Sequence, residues 1–289
     1  MEEGTTRCRN CDTPLDGLYC HNCGQREGRG DLHFQEAVTD ILGDVFTWDS
    51  RVWRTLVSLL FRPGFLSAEF NAGRRVRYMP PFRLYLIVSF VLFLTLSLMT
   101  DYVVDFGDAS DDAVEVSISL DSEDEATAEE SESAQSEAAE APSSLTEALQ
   151  ARIDAKAPLV RDDPGGYVRE LLEYLPQVMF LMLPVFALLL KLAYLFSSFH
   201  YLQHLVFALH YHTFVYLLYL ASMVLEQIAM YVDGIVALPL LIYLPLALRR
   251  SYASSWPGAL GKSLFLMISY GAALVLGMAA AAVAVLVTM

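Results

Sequence analysis

The sequence predicts an all-α polytopic membrane protein with about five transmembrane helices and a small N-terminal four-cysteine ribbon. Apolar residues make up 55% of the 289 residues and charged residues only 18%. A soluble domain of this size rarely combines so much apolar with so little charged sequence. All four cysteines lie within the first 23 residues, which sets that segment apart from the apolar body.

The cysteines form two CxxC pairs, Cys8 with Cys11 and Cys20 with Cys23. Two such pairs supply four thiolates to one tetrahedral Zn²⁺, so residues 1–30 are predicted to be a zinc ribbon with a structural metal. So short a segment cannot bury enough surface to fold alone, and the metal would supply the folding energy. Two disulfides or a redox CxxC are the alternatives. Disulfides need an oxidising compartment, and the βαβ pattern expected around a redox CxxC is missing.

The net charge of −15 is concentrated in one insert. Residues 101–173 hold 21 acidic and 4 basic residues, a net of −17, whereas the rest holds 13 acids and 15 bases. Residues 121–144 contain no large apolar side chain, which predicts that this external acidic loop is partly disordered. A chain with this charge distribution is not expected to bind nucleic acid.

Residues 31–83 are predicted to be cytoplasmic, with two amphipathic helices followed by an Arg-rich segment. The first helix would use apolar residues between 34 and 46. The second would open near Ser50 and end at Pro63-Gly64. Its predicted apolar side carries Val52, Trp53, Leu56, Val57, Leu60 and Phe61. Either the helices pack on the membrane domain or they lie on the inner leaflet.

Four arginines immediately precede the first apolar run: Arg74, Arg75, Arg77 and Arg83. They are candidates for contact with anionic lipid headgroups of the bilayer, although an inserted helix of this orientation needs basic residues there in any case. The five predicted spans are residues 84–100 (the first), followed by 174–196, 202–225, 227–248 and 263–289 within a membrane domain of residues 174–289.

The basic flanks of the spans set the predicted orientation. Arg74 to Arg83, Lys191, Arg249, Arg250 and Lys262 alternate consistently with the acidic insert, Glu226 and Asp233. The N-terminus is therefore expected in the cytoplasm and the C-terminus outside. The first 30 residues show no apolar signal-peptide core, so the first transmembrane helix is expected to insert the chain. Small residues at Ala273, Gly277 and Ala281 suit packing within the monomer or in a homo-oligomer.

Histidines within the third span are the other notable polar feature. His200, His204 and His212 lie on one helical stripe, while His210 falls on another face. Ionisable groups inside a span usually face a cavity or a partner. These three residues, with Asp233, are candidates for a polar intramembrane site. The alternatives are hydrogen bonding to neighbouring helices, or a contribution of His204 and His212 to a metal or haem site.

Four stretches resemble a known family in the same order along the chain. They are Cys8 to Gln25, Thr55 to Gly64, Gly73 to Phe82, and the His204-Leu-Val-Phe-Ala-Leu-His210 stretch. Together they resemble the bacterial membrane-protein family catalogued as domain of unknown function 3667. The resemblance implies a zinc ribbon on a multi-span inner (plasma) membrane protein. It implies no activity.

Three functional hypotheses follow from the sequence. The first is a non-enzymatic docking, scaffold or assembly component that binds a protein partner through the cytoplasmic ribbon. The second is a transporter or channel-like protein with a polar path near His204, His212 and Asp233. The third is an intramembrane metal or haem enzyme; no nucleophile elbow, Walker loop or HExxH pattern is present to support catalysis.

Overall fold

A computed structural model describes residues 7–26, 51–107, 164–226 and 237–288, together with the single residues 150, 156 and 158. Within these residues every regular element is a helix, which confirms the predicted all-α class. The helices, in chain order, are α1 (Arg51–Phe61), α2 (Phe65–Asn71), α3 (Pro81–Gly107), α4 (Pro164–Ala193), α5 (Tyr201–Glu226), α6 (Ala237–Tyr252) and α7 (Trp256–Thr288).

Four of these helices are long and apolar enough to cross a membrane. The qualifying segments are Pro81–Met99, Gly165–Ala193, Tyr201–Leu225 and Trp256–Thr288. They coincide with the first, second, third and fifth predicted spans. The described part of the fourth predicted span is α6, of 16 residues, and residues 227–236 lie outside the described residues. The predicted helix at 34–46 and the core of the acidic loop also lie outside them.

Helix boundaries extend beyond the predicted apolar runs. Helix α3 continues to Gly107, past Asp101, and α7 already begins at Trp256, before Lys262. Helix α4 begins at Pro164 and runs without a break through Pro176 and Pro184. Hydropathy measures only the part of a helix that suits hydrocarbon, whereas backbone hydrogen bonding continues into the aqueous flanks. Proline at the first position of α4 suits a helix start, because its missing N–H would have no intrahelical partner there.

The described residues divide into two units, each considered by itself. The larger comprises Met1–Leu96 and Glu173–Ala281, and the smaller comprises Ser97–Leu172 and Ala282–Met289. In the smaller unit the Tyr167 hydroxyl donates to the Ala282 carbonyl at 2.9 Å. All further contacts described below belong to the larger unit.

Helix α5 lies at the centre of the core of the larger unit. Apolar residues occur on all its sides and more than half of its apolar segment is buried, as expected of a helix that other helices surround. Side chains from α3, α4 and α6 pack around it, and α2 packs on both α5 and α6. The fully buried residues of this core include Leu84, Tyr85, Phe186, Leu190, Phe207, Leu244 and Leu248.

Gly277 of α7 faces α4 within the same chain. A Cβ built at Gly277 would lie 3.3 Å from Met182 Cε and 3.6 Å from Val178 Cγ1. Small residues let two helix backbones approach closely. Part of the small-residue stripe of α7 therefore serves packing inside the monomer.

Helices α1 and α2 lie beside the start of α3 and the end of α6. The Met79 backbone N–H donates to the Thr55 hydroxyl at 3.0 Å, just before α3 begins. From α6, the Tyr243 hydroxyl donates to the Leu59 carbonyl at 2.8 Å and the Ser251 hydroxyl to the Gly64 carbonyl at 3.0 Å. These buried bonds attach the short helices to one end of the membrane helices.

The end of α4 and the start of α7 meet at this same end. The Tyr194 hydroxyl is hydrogen-bonded to that of Ser254 at 2.9 Å, and the Lys262 ammonium lies 3.7 Å from the centre of the Tyr194 ring. We call this the basic end. Its cations are Arg54, Arg62, Arg74, Arg75, Arg77, Arg83, Lys191, Arg249, Arg250 and Lys262.

Candidate metal centre and polar contacts between the helices

The two cysteine pairs form two nearly identical turns, related by an offset of twelve residues. The Cys8 N–H donates to the Thr13 carbonyl at 2.9 Å, and the Cys20 N–H to the Gln25 carbonyl at 2.9 Å. The return bonds repeat as well, because Asp12 N–H donates to the Cys8 carbonyl and Gly24 N–H to the Cys20 carbonyl, each at 2.8 Å. Each pair therefore builds the same backbone turn around its sulfurs.

Each turn closes on a residue with left-handed backbone. Gly24 has φ of 73° and Asp12 has φ of 60°. Glycine adopts this region without a steric penalty, and aspartate is among the few other residues that enter it readily. Gly24 takes this position after the second pair, and Asp12 takes the equivalent position after the first. Isolated β-bridges between Arg7 and Pro14 and between Tyr19 and Arg26 flank the two turns.

The four sulfur atoms converge on one point and could hold a metal ion. All four lie within 4.8 Å of one another. The Cys8 and Cys23 sulfurs are 3.6 Å apart, and those of Cys11 and Cys20 are 3.5 Å apart. A tetrahedral Zn²⁺ with bonds of about 2.3 Å separates its sulfurs by about 3.8 Å. The cluster therefore fits a four-thiolate metal site, and four protein ligands leave no open position for a substrate.

The thiols differ in how readily they lose their protons. Burial raises the pKa of the Cys8 thiol to about 12, whereas the side-chain hydrogen bond between Cys11 and Thr13 lowers the pKa of Cys11 to about 6. Burial therefore favours the protonated thiol at Cys8. A metal binds the thiolate, so metal binding works against this shift and releases protons.

Gln25 attaches the ribbon to the connector between α2 and α3. Its side chain is 7% exposed, and its Nε2 donates to the Gly73 carbonyl at 2.8 Å. The Arg75 backbone N–H donates to Gln25 Oε1 at 3.3 Å. Arg9 also lies over Gly73, where a Cβ would come within 2.9 Å of Arg9 Cδ. The ribbon thus packs on the connector between α2 and α3.

The four arginines that precede the first apolar run occupy different environments, and the last of them, Arg83, already lies within α3. Arg74 forms a two-point ion pair with Glu69, and this arginine lowers the pKa of the Glu69 carboxyl. Arg75 lies 4.5 Å from the centre of the Phe70 ring. Arg83 is buried, at 6% exposure, and Arg77 is exposed. The structure therefore does not gather these four side chains into one surface.

The predicted intramembrane residues are separated by the fold. His200 lies exposed immediately before α5, where its backbone N–H donates to Gln203 Oε1 at 2.8 Å. His204 and His212 are buried in α5. His204 Nδ1 is hydrogen-bonded to the Tyr252 hydroxyl of α6 at 2.9 Å. Asp233 lies outside the described residues.

His212 joins α5 to α7 with a defined proton arrangement. Its Nδ1 lies 2.8 Å from the Ala208 carbonyl, which can only accept a hydrogen bond. The proton is therefore on Nδ1 of the neutral ring, and Nε2 accepts from the Tyr270 hydroxyl at 2.6 Å. His204 and His212 thus bond to different helices, in keeping with the structural alternative for these side chains.

Sequence reasoning passed over His210, which connects α5 to α2. His210 is buried, and its Nδ1 is hydrogen-bonded to the hydroxyl of buried Ser67 at 2.9 Å. The stripe that joins His204 and His212 does not include it. The sequence did show that His210 lies on another face of α5. A polar residue on a second face indicates that another helix packs there and supplies its hydrogen-bond partner.

We expect Ser67→Ala to destabilise the protein by about 1–3 kcal/mol, because it leaves a buried imidazole without its partner. The readout is the unfolding temperature in detergent. Ser263→Ala is the matched control, since buried Ser263 bonds to the Ala259 carbonyl of its own helix. Equal effects of the two substitutions would contradict a specific role for the contact with His210.

These features define a class: a helical protein whose described residues include four membrane-capable helices and an N-terminal four-cysteine cluster that could hold a metal. The model of the family described as protein of unknown function (DUF3667) matches residues 49–93, which confirms the predicted resemblance over that segment. The segment covers α1, α2, the connector and the first part of α3, and leaves the cysteines outside. No curated protein and no solved structure matches the chain.

Proposed function

We propose that this chain is a non-enzymatic inner-membrane protein of a bacterium whose zinc-loaded ribbon docks a cytoplasmic protein partner. The observation that carries the proposal is a ribbon that is fixed to the connector before α3 yet exposes apolar side chains. Leu18 and Tyr19, beside the second cysteine pair, are 67% and 63% exposed. A site with four cysteine ligands favours a structural metal over a catalytic one.

The distribution of charge supports a cytoplasmic ribbon. The basic end carries the ribbon's attachment point at Gly73 and the cations that flank the membrane helices. Positively charged flanks face the cytoplasm, where reducing conditions keep thiols free for metal binding. The free state of all four cysteines agrees with this placement. The C-terminus would then lie outside.

Photo-cross-linking in native membranes tests the docking proposal. A photoreactive residue at Tyr19 should form a discrete adduct with a cytoplasmic protein, and the adduct should be lost when Cys20→Ser and Cys23→Ser are added. The same residue at exposed Asp16 is the positional control. An adduct that persists after the cysteines are replaced, or that forms equally from Asp16, would contradict docking by a folded ribbon.

A polar path for transport is the second candidate, and one specific observation favours it. His204 Nε2 is buried and has no hydrogen-bond partner among the described residues. Transport predicts that His204→Ala abolishes a flux into liposomes while Cys20→Ser leaves it unchanged. Docking predicts the reverse pattern, with His204→Ala retaining the cross-link at Tyr19. The two functions are therefore distinguished by the same pair of variants.

A further inference from the structure

We propose that the groove between α1 and the connector before α3 binds the phosphate of an anionic phospholipid in the bilayer leaflet at the basic end. The proposal goes beyond docking at the ribbon and does not depend on it. The groove has a volume of about 520 Å³. Its lining is formed by Trp53, Arg54, Val57, Ser58, Phe61, Arg62, Arg77 and Tyr78.

Helix α1 buries a mixed polar and apolar face and leaves several large apolar side chains exposed. Its buried residues are Thr55, Ser58 and Leu59, and Val52 and Leu56 pack against the core. Trp53 and Phe61 are 73% and 77% exposed, and Val57 and Leu60 are also exposed. The polar face is satisfied inside, where Thr55 receives the Met79 N–H and donates to the Arg51 carbonyl. An exposed aromatic and aliphatic face is what a helix at the membrane interface presents to lipid.

The groove adds three cations to that apolar face. Arg54, Arg62 and Arg77 are all exposed, and none forms an ion pair within the described residues. Arg74, by contrast, is occupied by Glu69. The planar guanidinium groups match phosphate oxygens by two-point hydrogen bonding. The lining contributes the hydroxyls of Ser58 and Tyr78 and no carboxylate that would repel an anion.

The position of the groove favours a lipid over a soluble anion. The Arg51 side chain donates to the Val76 carbonyl, and Thr55 contacts Met79, so α1 lies against the residues that directly precede the first membrane helix at Pro81. Basic groups at this depth attract anionic lipid. The exposed Trp53 and Phe61 would contact the acyl region while the arginines hold the headgroup phosphate.

Native mass spectrometry of the full-length purified protein tests the proposal, with phosphatidylglycerol and phosphatidylcholine as probes. We expect the wild type to retain phosphatidylglycerol preferentially. The triple variant Arg54→Gln, Arg62→Gln, Arg77→Gln should lose that preference, by about fivefold for each arginine removed. The matched control is Arg7→Gln, Arg26→Gln, Arg169→Gln, which removes the same charge from three exposed arginines outside the groove and should retain the preference. If the triple variant does not purify, Arg54→Gln and Arg77→Gln are measured singly.

Three outcomes would overturn the proposal. Equal losses in the two triple variants would show that net charge, and not this groove, selects the lipid. Displacement of phosphatidylglycerol by an excess of inorganic phosphate would identify a soluble-anion site. Unchanged retention in the groove variants, with normal metal content and elution, would show that these arginines do not bind lipid. Loss confined to the groove variants, without competition by phosphate, supports the proposal.

Discussion

Replacing Cys20 and Cys23 together by serine is expected to abolish metal binding and unfold the ribbon while the membrane helices stay folded. Structural zinc in comparable small sites contributes about 10–16 kcal/mol at neutral pH. Residues 7–26 contain no helix and two isolated β-bridges, so nothing else of that size holds them together. Metal analysis should fall from about one zinc per chain to none, and amide hydrogen exchange should rise across the ribbon.

Two further variants give this prediction its controls. His21→Ala should keep the metal, because His21 is exposed and lies outside the sulfur cluster. Gln25→Ala should keep the metal too, yet loosen the ribbon from Gly73 by removing the hydrogen bonds that attach it. A full equivalent of zinc in the double cysteine variant would contradict the four-cysteine site. Loss of zinc from His21→Ala would show that the ligand set is different.

The ribbon illustrates which contacts a sequence reveals. The spacing within each CxxC pair is local, and two residues between sulfurs leave few ways to place both on one metal. The contact that attaches the ribbon is not local, because Gln25 and Gly73 are 48 residues apart. Nothing about a glutamine after a cysteine pair indicates that its amide will be buried on a distant turn. The cluster was therefore predictable and its attachment was not.

In the membrane helices, too, local features were predictable from sequence and contacts between distant residues were not. Long apolar runs identified α3, α4, α5 and α7, since hydrophobic length is a property of each segment alone. The direction in which α1 faces depends on its neighbours. Its apolar periodicity correctly predicted a helix with Trp53 and Phe61 on one side, but periodicity does not say whether that side meets protein or lipid. The structure divides that side, because Val52 and Leu56 pack against the core while Trp53 and Phe61 are exposed.

The histidines of α5 show why polar residues in a span are hard to assign from sequence. A shared stripe suggested that His200, His204 and His212 act together. The start of the helix at Tyr201 leaves His200 outside, exposed. The other two bond to tyrosines of α6 and α7, while His210, from a different face, bonds to α2. The helix that packs on each face of α5 supplies the hydrogen-bond partner of the histidine there. These partners come from distant parts of the chain, so the sequence of α5 does not reveal them.

Gly64→Ala is expected to be the most damaging single substitution at the junction of α1 and α2. Gly64 has φ of 70°, a conformation that costs an alanine about 1–2 kcal/mol. A Cβ there would also lie 2.8 Å from both Ala247 Cα and Ser251 Oγ, and overpacking of this kind adds about 1–3 kcal/mol. The combined destabilisation should be on the order of 3 kcal/mol, measured as a lower unfolding temperature in detergent.

Substitutions at two other glycines distinguish the cost of the positive φ from the cost of overpacking in Gly64→Ala. Gly261, within α7, has nothing within 4 Å of a built Cβ, so Gly261→Ala should be neutral or stabilise the helix by up to about 1 kcal/mol. Gly24 has φ of 73° and open space around it, so Gly24→Ala should show the backbone cost alone, as weaker zinc retention by the ribbon. If Gly64→Ala unfolds at the same temperature as Gly261→Ala, the close approach of α6 to this turn is contradicted. A loss at Gly64 larger than the backbone cost of about 1–2 kcal/mol would support the close approach of α6 to this turn.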